Sequence, residues 1–367
     1  MNIAMLGHKR IPSHEGGIEI VVDELSARMA AAGHSVTCFN RKGKHVAGGH
    51  VEKLKEYKSV KIKEVFTIDR KGLAAMTSSF FACLAAGFGQ FDVVHIHAEG
   101  PAFFSFIPIT CGKKVVVTIH GLDWGRAKWG KFASWYIRTG EKNAVKFADE
   151  IIVLSQGVKE YFRKEYGREV RFIPNGVNRP VIREVNEIKK FRLERDSYIL
   201  YLGRIVPEKG EHYLIEAFKK IKTDKKLVIA GGISDTAGYG KELKDLAIGD
   251  DRIIFTGFVQ GRMLEELYSN AYAYCLPSDL EGMPLSLLEA MSYGNCCLTS
   301  DIAECSEVVE DKAVTFKKSN VDDLKVKLEW LVNHKDEVGK YKEEATDFIC
   351  NKYSWNDVVE KTLRLYR

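Results

Sequence analysis

Short apolar runs alternate with amphipathic stretches along the whole chain. Runs that read as strands fall near 2–7, 35–40, 60–67, 92–97, 114–119, 150–154 and 170–173, and stretches near 18–32, 73–87, 131–147 and 156–166 carry helical spacing between most of them. The pattern restarts at Tyr198-Ile199-Leu200-Tyr201-Leu202-Gly203. Strands follow near 226–230, 252–256, 271–276, 296–299 and 313–316, with helices near 211–221, 240–247, 262–269, 284–293 and 303–310. Strands that are apolar throughout, separated by helices, predict parallel sheets covered on both faces, an α/β class. The halves are joined by residues 178–197, mostly polar and charged after Pro180, which read as a linker. Three closing segments, 320–333, 335–349 and 354–366, read as helices that can pack back across the domain junction. The expected division is 1–180, an N-terminal Rossmann-like domain, and 195–349, a C-terminal one, with a helix about 350–367 returning to the first.

Composition narrows the class without changing it. The 367 residues are 45% hydrophobic and 29% charged, enough for about two domains, and a net charge of +5 does not imply a nucleic-acid partner. The eight cysteines form no CxxC pair, which suits reduced thiols and a cytoplasmic location. The start, MNIAMLGHKR, reads as a strand and polar turn rather than a secretory leader. The most apolar helix candidate, 73–87, is shorter than a membrane span.

In doubly wound sheets, ligands bind at strand C-termini, so chemistry is sought there. After the strand at 271–276 comes Asp279-Leu280-Glu281-Gly282-Met283-Pro284-Leu285-Ser286-Leu287-Leu288-Glu289. Pro284 suits a first helical turn and Leu285, Leu288 and Met291 recur at helical spacing, so Glu281 lies just outside a helix start and Glu289 roughly 7 Å along it. Two carboxylates bracketing the positive end of a helix would suit a ligand with hydroxyls at both ends and phosphate between. After the strand at 198–203, Arg204 and Lys209 stand on a Pro/Gly-shaped loop and can clamp a diphosphate. In the first half, Gly16-Gly17 opens a helix where an anion would fit, and His120 and Asp123 follow a strand. Taken singly, each has a plain explanation: a turn, a cap or a surface charge. The run Trp124 to Trp129, with Lys131, Phe132, Trp135 and Tyr136, mixes cations and aromatics. It could bind a sugar phosphate, sit at a lipid headgroup boundary, or simply pack its rings inward with the lysines extended. The GxGxxG and GxxxxGK[ST] fingerprints are absent, which weighs against NAD enzymes and P-loop NTPases.

Together, Glu281 and Glu289, the Gly203-Arg204 to Lys209-Gly210 loop, Gly16-Gly17, His120 and Ile173-Pro174-Asn175-Gly176-Val177 resemble glycosyltransferase family 4, over nearly the whole chain. The resemblance implies a GT-B fold, two Rossmann-like domains facing across a cleft, the first for the acceptor and the second for a nucleotide sugar. It implies Arg204 and Lys209 on the donor diphosphate, Glu281 on the sugar within the Glu281-Gly282-Met283-Pro284-Leu285 turn, and Glu289 on the ribose. Phe258 and Val259 would edge the base pocket, Gly16 and Gly17 would lie near the phosphates, and His120 near the transferred sugar, with Asp123 kept as a substrate-binding candidate from its place after the strand. It further implies retention of anomeric configuration and no metal or other cofactor. A narrower similarity, in Gly16-Gly17-Ile18-Glu19 and Trp124-x-Arg126-x-Lys128-Trp129, is to bacterial rhamnosyltransferases and enzymes of surface polysaccharide assembly. The expected reaction moves a hexose or deoxyhexose to a glycan or lipid-linked glycan, with peripheral contact at the inner face of the plasma membrane through the N-terminal domain. Alternatives on the same architecture are a nucleotide-sugar epimerase, a phosphorylase, or a non-catalytic nucleotide-sugar-binding protein.

Overall fold

The computed structural model describes residues 1–13, 15–43, 54–70, 72–122, 124, 130–232 and 237–367. The chain divides into two compact units, one of residues 1–175 with 355–367 and one of residues 176–354.

In the first unit the strands are β1 (Asn2–Leu6), β2 (Ser35–Arg41), β3 (Glu56–Tyr57), β4 (Val60–Val65), β5 (Val93–His97), β6 (Lys114–Ile119), β7 (Glu150–Val153) and β8 (Arg171–Phe172). Its helices are α1 (Gly17–Ala31), α2 (Leu73–Gly87), α3 (Glu99–Ala102), α4 (Phe106–Thr110), α5 (Lys131–Phe147) and α6 (Gln156–Tyr166). Among the described residues the sheet runs β3-β4-β2-β1-β5-β6-β7-β8, parallel except for β3 on β4. The order turns outward in both directions from β1 and β5, which pair from Ile3 with Val93 to Leu6 with Ile96. β5 and β6 are buried almost end to end because helices cover both faces of the sheet.

The second unit follows with β9 (Tyr198–Leu202), α7 (Glu211–Lys219), β10 (Lys226–Ala230), α8 (Ala237–Ala247), β11 (Ile253–Gly257), α9 (Gly261–Asn270), β12 (Ala273–Leu276), α10 (Leu285–Ser292), β13 (Cys296–Ser300), α11 (Ala303–Val309), β14 (Val314–Phe316), α12 (Val321–Asn333) and α13 (Lys335–Lys352). Its all-parallel sheet is ordered β11-β10-β9-β12-β13-β14. The three strands that come first in sequence step one way from β9 and the next three step the other way from β12. That leaves the switch point between β9 and β12, which pair at Ala273 with Ile199.

The last helix, α14 (Trp355–Leu365), belongs to the first unit. Trp355, Val358, Val359 and Thr362 recur every three or four residues and are buried, and α14 packs on α1, where Arg28 Nη1 donates to Asn356 Oδ1 at 2.7 Å. The chain enters and leaves the second unit along paired segments, with Val177 N–H donating to Tyr353 O at 2.9 Å.

The segment read as a linker is structured. Glu187–Phe191 forms a 3-10 helix, and Ile188 and Leu193 are fully buried in the core of the second unit. Its charge density conceals these two anchors. The helix read from Pro284 begins one residue later, since Pro284 itself is extended, with ψ 91°. Strand β3 and helices α3 and α4 were not expected. Among the described residues no helix is long and apolar enough to cross a membrane.

Candidate active site

At the switch point of the second unit, the loop after β9 meets the loop after β12. Gly210 holds φ at +72°, and a Cβ there would come 2.1 Å from Pro277 O, so only glycine lets the two backbones approach so closely. Asp279 N–H donates to Glu208 O at 2.9 Å across the same seam. The seam delivers Lys209 Nζ to Glu281 Oε1 at 2.5 Å, while Ser278 Oγ donates to the same carboxylate oxygen at 2.6 Å. The lysine and glutamate side chains are 14% and 7% exposed, so the charges face each other with little water between them. Arg204, half-buried on the same loop, has its carbonyl held by the Tyr201 hydroxyl at 3.1 Å. Among the described residues its guanidinium makes no ion pair.

Two further carboxylates stand behind this pair. Glu211, fully buried at the start of α7, accepts from Tyr201 Oη at 2.7 Å and Tyr239 Oη at 3.1 Å. Burial pushes its carboxyl up to about 7, although both hydroxyls and the Lys209 charge favour the ionised form. Glu289, the fifth residue of α10, accepts from Tyr268 Oη at 3.1 Å, and Tyr268 stacks on Tyr293 with centroids 5.2 Å apart. Burial pushes this carboxyl up to about 7 as well. Glu289 is half-buried and held by the Tyr268 hydroxyl, so it is not a freely solvated helix residue. Gly282 and Pro284 are buried, with Met283 and Leu285 partly so. Beyond β11, Phe258 is 41% exposed, whereas Val259 lies in the core and can offer a ligand only its backbone.

The first unit has its own switch point between β1 and β5. Gly7, at φ +105°, would place a Cβ 2.1 Å from His97 O, so the loop after β1 lies against the end of β5. His120, following β6, puts Nε2 3.1 Å from His97 Nδ1. His97 stacks on His95 with centroids 4.3 Å apart, and His95 is bonded to Tyr366 Oη at 2.6 Å and Thr118 Oγ1 at 2.7 Å. Burial drives His95 down to about 3 and His97 well below its usual value, so both stay neutral near pH 7. His8 is driven to about 4 by burial, against the pull of Glu19, and is bonded to Asn40 at 3.0 Å.

Gly16 and Gly17 do open α1, but the first turn already holds a carboxylate. Glu19 is buried and accepts from Lys9 N–H at 2.9 Å, and a Cβ on Gly16 would meet Glu19 Oε2 at 2.6 Å. Gly16 thus makes room for the helix's own acid. Asp123, Arg126, Lys128 and Trp129 lie outside the described residues. The remaining aromatic run divides: Trp124 Nε1 donates inward to Glu141 Oε2 at 2.9 Å, while Phe132 and Trp135 face outward.

Sequence reasoning missed Ser278, Glu211, Tyr268 and His97. Only His97 carried a usable signal, because His95 and His97, two apart in a strand, must share a face. The second-unit loops can hold a phosphate-bearing polyol, with cations for the phosphate and carboxylates for hydroxyls. Among the described residues no group of three or more His, Cys, Asp or Glu is placed to hold a metal ion.

Two doubly wound units with this switch-point chemistry place the protein in the GT-B class of glycosyltransferases. Residues 15–179 match Glycosyltransferase Family 4 and residues 183–353 match Glycosyl transferases group 1. The chain belongs to the family 4 glycosyltransferases. It is 27% identical over 304 residues to an uncharacterized glycosyltransferase of Methanocaldococcus jannaschii, covering 77% of this chain and 76% of that protein. It is 28% identical over 235 residues to lipopolysaccharide 1,2-N-acetylglucosaminetransferase of Salmonella typhimurium, covering 58% and 60%. Among solved structures, sucrose-phosphate synthase of Thermosynechococcus elongatus superposes with TM-score 0.84 at 20% identity, covering 100% and 98% of the two chains. Anabaena HepE in complex with UDP-glucose gives TM-score 0.80 at 16% identity and 99% of each chain.

Proposed function

We propose that the protein transfers a hexose or deoxyhexose, rhamnose among the candidates, from a nucleotide diphosphate sugar to a hydroxyl of a glycan or lipid-linked glycan in surface polysaccharide assembly, with retention of the anomeric configuration. The observation that carries this reading is the meeting of Lys209 and Glu281 from two neighbouring strand ends at the second unit's switch point. A donor entering there would draw Lys209 and Arg204 to its diphosphate and leave Glu281 to the sugar hydroxyls. Glu289, poised beside Tyr268, would receive the ribose. The HepE complex with UDP-glucose and the lipopolysaccharide enzyme support the donor and acceptor classes.

In the reaction the bond from the anomeric carbon to the phosphate oxygen breaks, a bond to the acceptor oxygen forms on the same face, and the acceptor proton passes to the departing diphosphate. The developing charge is met by Arg204, Lys209 and the N-terminus of α10, so the chain's own cations do the work a metal ion would otherwise do. No protein nucleophile is assigned. His120 positions the transferred sugar, the first unit takes the acceptor, and the protein works in the cytoplasm at the inner face of the plasma membrane.

The test is nucleotide release from UDP-, dTDP- and GDP-sugars, with a chelator, with and without membrane lipid extract. Wild type should consume one donor. Glu281→Ala should lose on the order of 10²–10³ in rate with its fold intact, and Arg204→Ala should bind the free nucleoside diphosphate more weakly. Full turnover by Glu281→Ala would remove that carboxylate from the site. Conversion of the donor to an isomeric nucleotide sugar without acceptor would replace transfer by epimerisation.

A further inference from the structure

A continuous aromatic ridge crosses the first unit. From Phe66 it passes to Phe81 and Phe80 on α2, then to Phe104 and Phe103 after α3, then to Trp135 and Phe132 on α5, in steps of 5.1, 5.3, 5.4, 5.1, 6.2 and 5.7 Å between ring centroids. Phe66, Phe132 and Trp135 are 57%, 66% and 57% exposed. The helices beneath pack on one another, α2 on α3 and α4, and α5 on α3 and α4. Five of the seven rings are exposed and the two that join them, Phe103 and Phe104, are half-buried; linked rings on this scale exceed the scattered apolar residues of an ordinary surface.

The charge on these helices is one-sided. α2 and α4 carry no charged side chain. The acids of α3 and α5 are Glu99 and Glu141, 1% and 0% exposed, and Glu141 is occupied by Trp124, Tyr161 and Tyr166. The outer face of α5 instead presents Lys131, Lys142 and Lys146 alongside Phe132 and Trp135, while Arg138 lies 3.6 Å from Glu165. The sequence left three uses open for this run. Inward packing accounts for Trp124, which donates to buried Glu141, but not for Phe132 or Trp135.

We propose that this face rests on an anionic lipid bilayer, with Phe132 and Trp135 entering the headgroup boundary and Lys131, Lys142 and Lys146 meeting lipid phosphates. Rings with a polar edge or a large apolar body favour that boundary, and acid-free lysines supply the attraction. A second copy is a poorer occupant, since a two-fold contact would set the same lysines against one another with no exposed acid on these helices to answer them. The inference rests on the membrane contact of the proposed function and is independent of its donor chemistry.

The test is co-sedimentation of the full chain with vesicles of phosphatidylcholine alone and of phosphatidylcholine mixed with phosphatidylglycerol, at low and high salt. Wild type should bind the anionic vesicles and be weakened by salt. Phe132→Ser with Trp135→Ser should weaken binding at least about tenfold. Replacing Lys131 and Lys142 by Gln should weaken it about fivefold per lysine. Both variants should keep wild-type circular dichroism and unchanged nucleotide release with a water-soluble acceptor. The proposal falls if wild type ignores anionic vesicles, if the ring substitutions leave binding intact, or if they instead abolish self-association seen by ultracentrifugation. Vesicle binding without any donor turnover would overturn the catalytic reading and leave this one standing.

Discussion

Gly210 stands in the left-handed region with Pro277 O where a side chain would begin, and Gly249 stands there with open space around it. The contrast separates two costs. Gly249→Ala should pay only the left-handed conformation, about 1–2 kcal/mol. Gly210→Ala must also part the two loops, and about 2–4 kcal/mol is expected. Urea unfolding of both variants measures the difference, and equal losses would mean that the Pro277 contact yields freely. Displacing Gly210 also moves Lys209, so Gly210→Ala should weaken nucleotide binding while Gly249→Ala leaves it unchanged. At this scale the sequence exposed the ends of the site more readily than its supports. Arg204, Lys209 and Glu281 could be proposed because they follow strand ends closely in the chain, and Glu289 because it falls on the helix that Glu281 precedes. Ser278 and Tyr268 could not be assigned. Ser278 looks like any turn serine until its hydroxyl is seen on Glu281, and Tyr268 reaches Glu289 from another helix, 21 residues away.

At the level of elements, α14 shows how a short helix can support a distant strand. Its burial rests on Trp355, Val358 and Val359, and just beyond it Tyr366 is bonded to His95 in β5, two residues before His97. Tyr366→Phe leaves the His95 Nδ1 without that partner in a fully buried place, at a cost of about 1–3 kcal/mol. The same change should loosen the stacked histidine column, so His120 should exchange its ring protons faster by NMR. An unchanged midpoint in urea would show that His95 turns to another partner. The alternation of strands and helices was legible because parallel strands are apolar throughout and helices carry a 3.6-residue period. α3 and α4 were not, since EGPA and FIPIT are too short to show a period and each contains a proline. Residues 178–197 were misjudged for the opposite reason, as Ile188 and Leu193 are too few to stand out among the charges that surround them.

For the whole molecule, burial of ionisable groups gives the two units opposite responses to pH. In the first unit, His8 is lowered from 6.5 to about 4 and His95 to about 3, with His97 and His34 shifted the same way. Below pH 6.5 the unfolded chain takes up protons that the folded unit refuses, so this unit's stability falls as pH drops from 6.5 towards 4. In the second unit, Glu211 and Glu289 are raised from 4.5 to about 7, and Glu304 is raised too. Above pH 4.5 the unfolded chain releases protons that the folded unit keeps, so stability falls as pH rises from 4.5 towards 7. His212, lowered by burial, opposes this with one proton against the carboxyls. Each proton is worth about 1.4 kcal/mol per pH unit. Moving from pH 5 to pH 6.5 should therefore stabilise the first unit and destabilise the second, seen, once the base-catalysed intrinsic rate is divided out, as amide protection rising in β5 and β6 and falling in β12 and α10. Glu211→Gln should lessen the response of the second unit, Glu289 and Glu304 keeping the rest, and leave the first unchanged. Movement of both units in the same direction would show that the buried carboxyls of the second unit are ionised throughout, and the Tyr201 and Tyr239 hydroxyls would then have to compensate fully for the burial of Glu211.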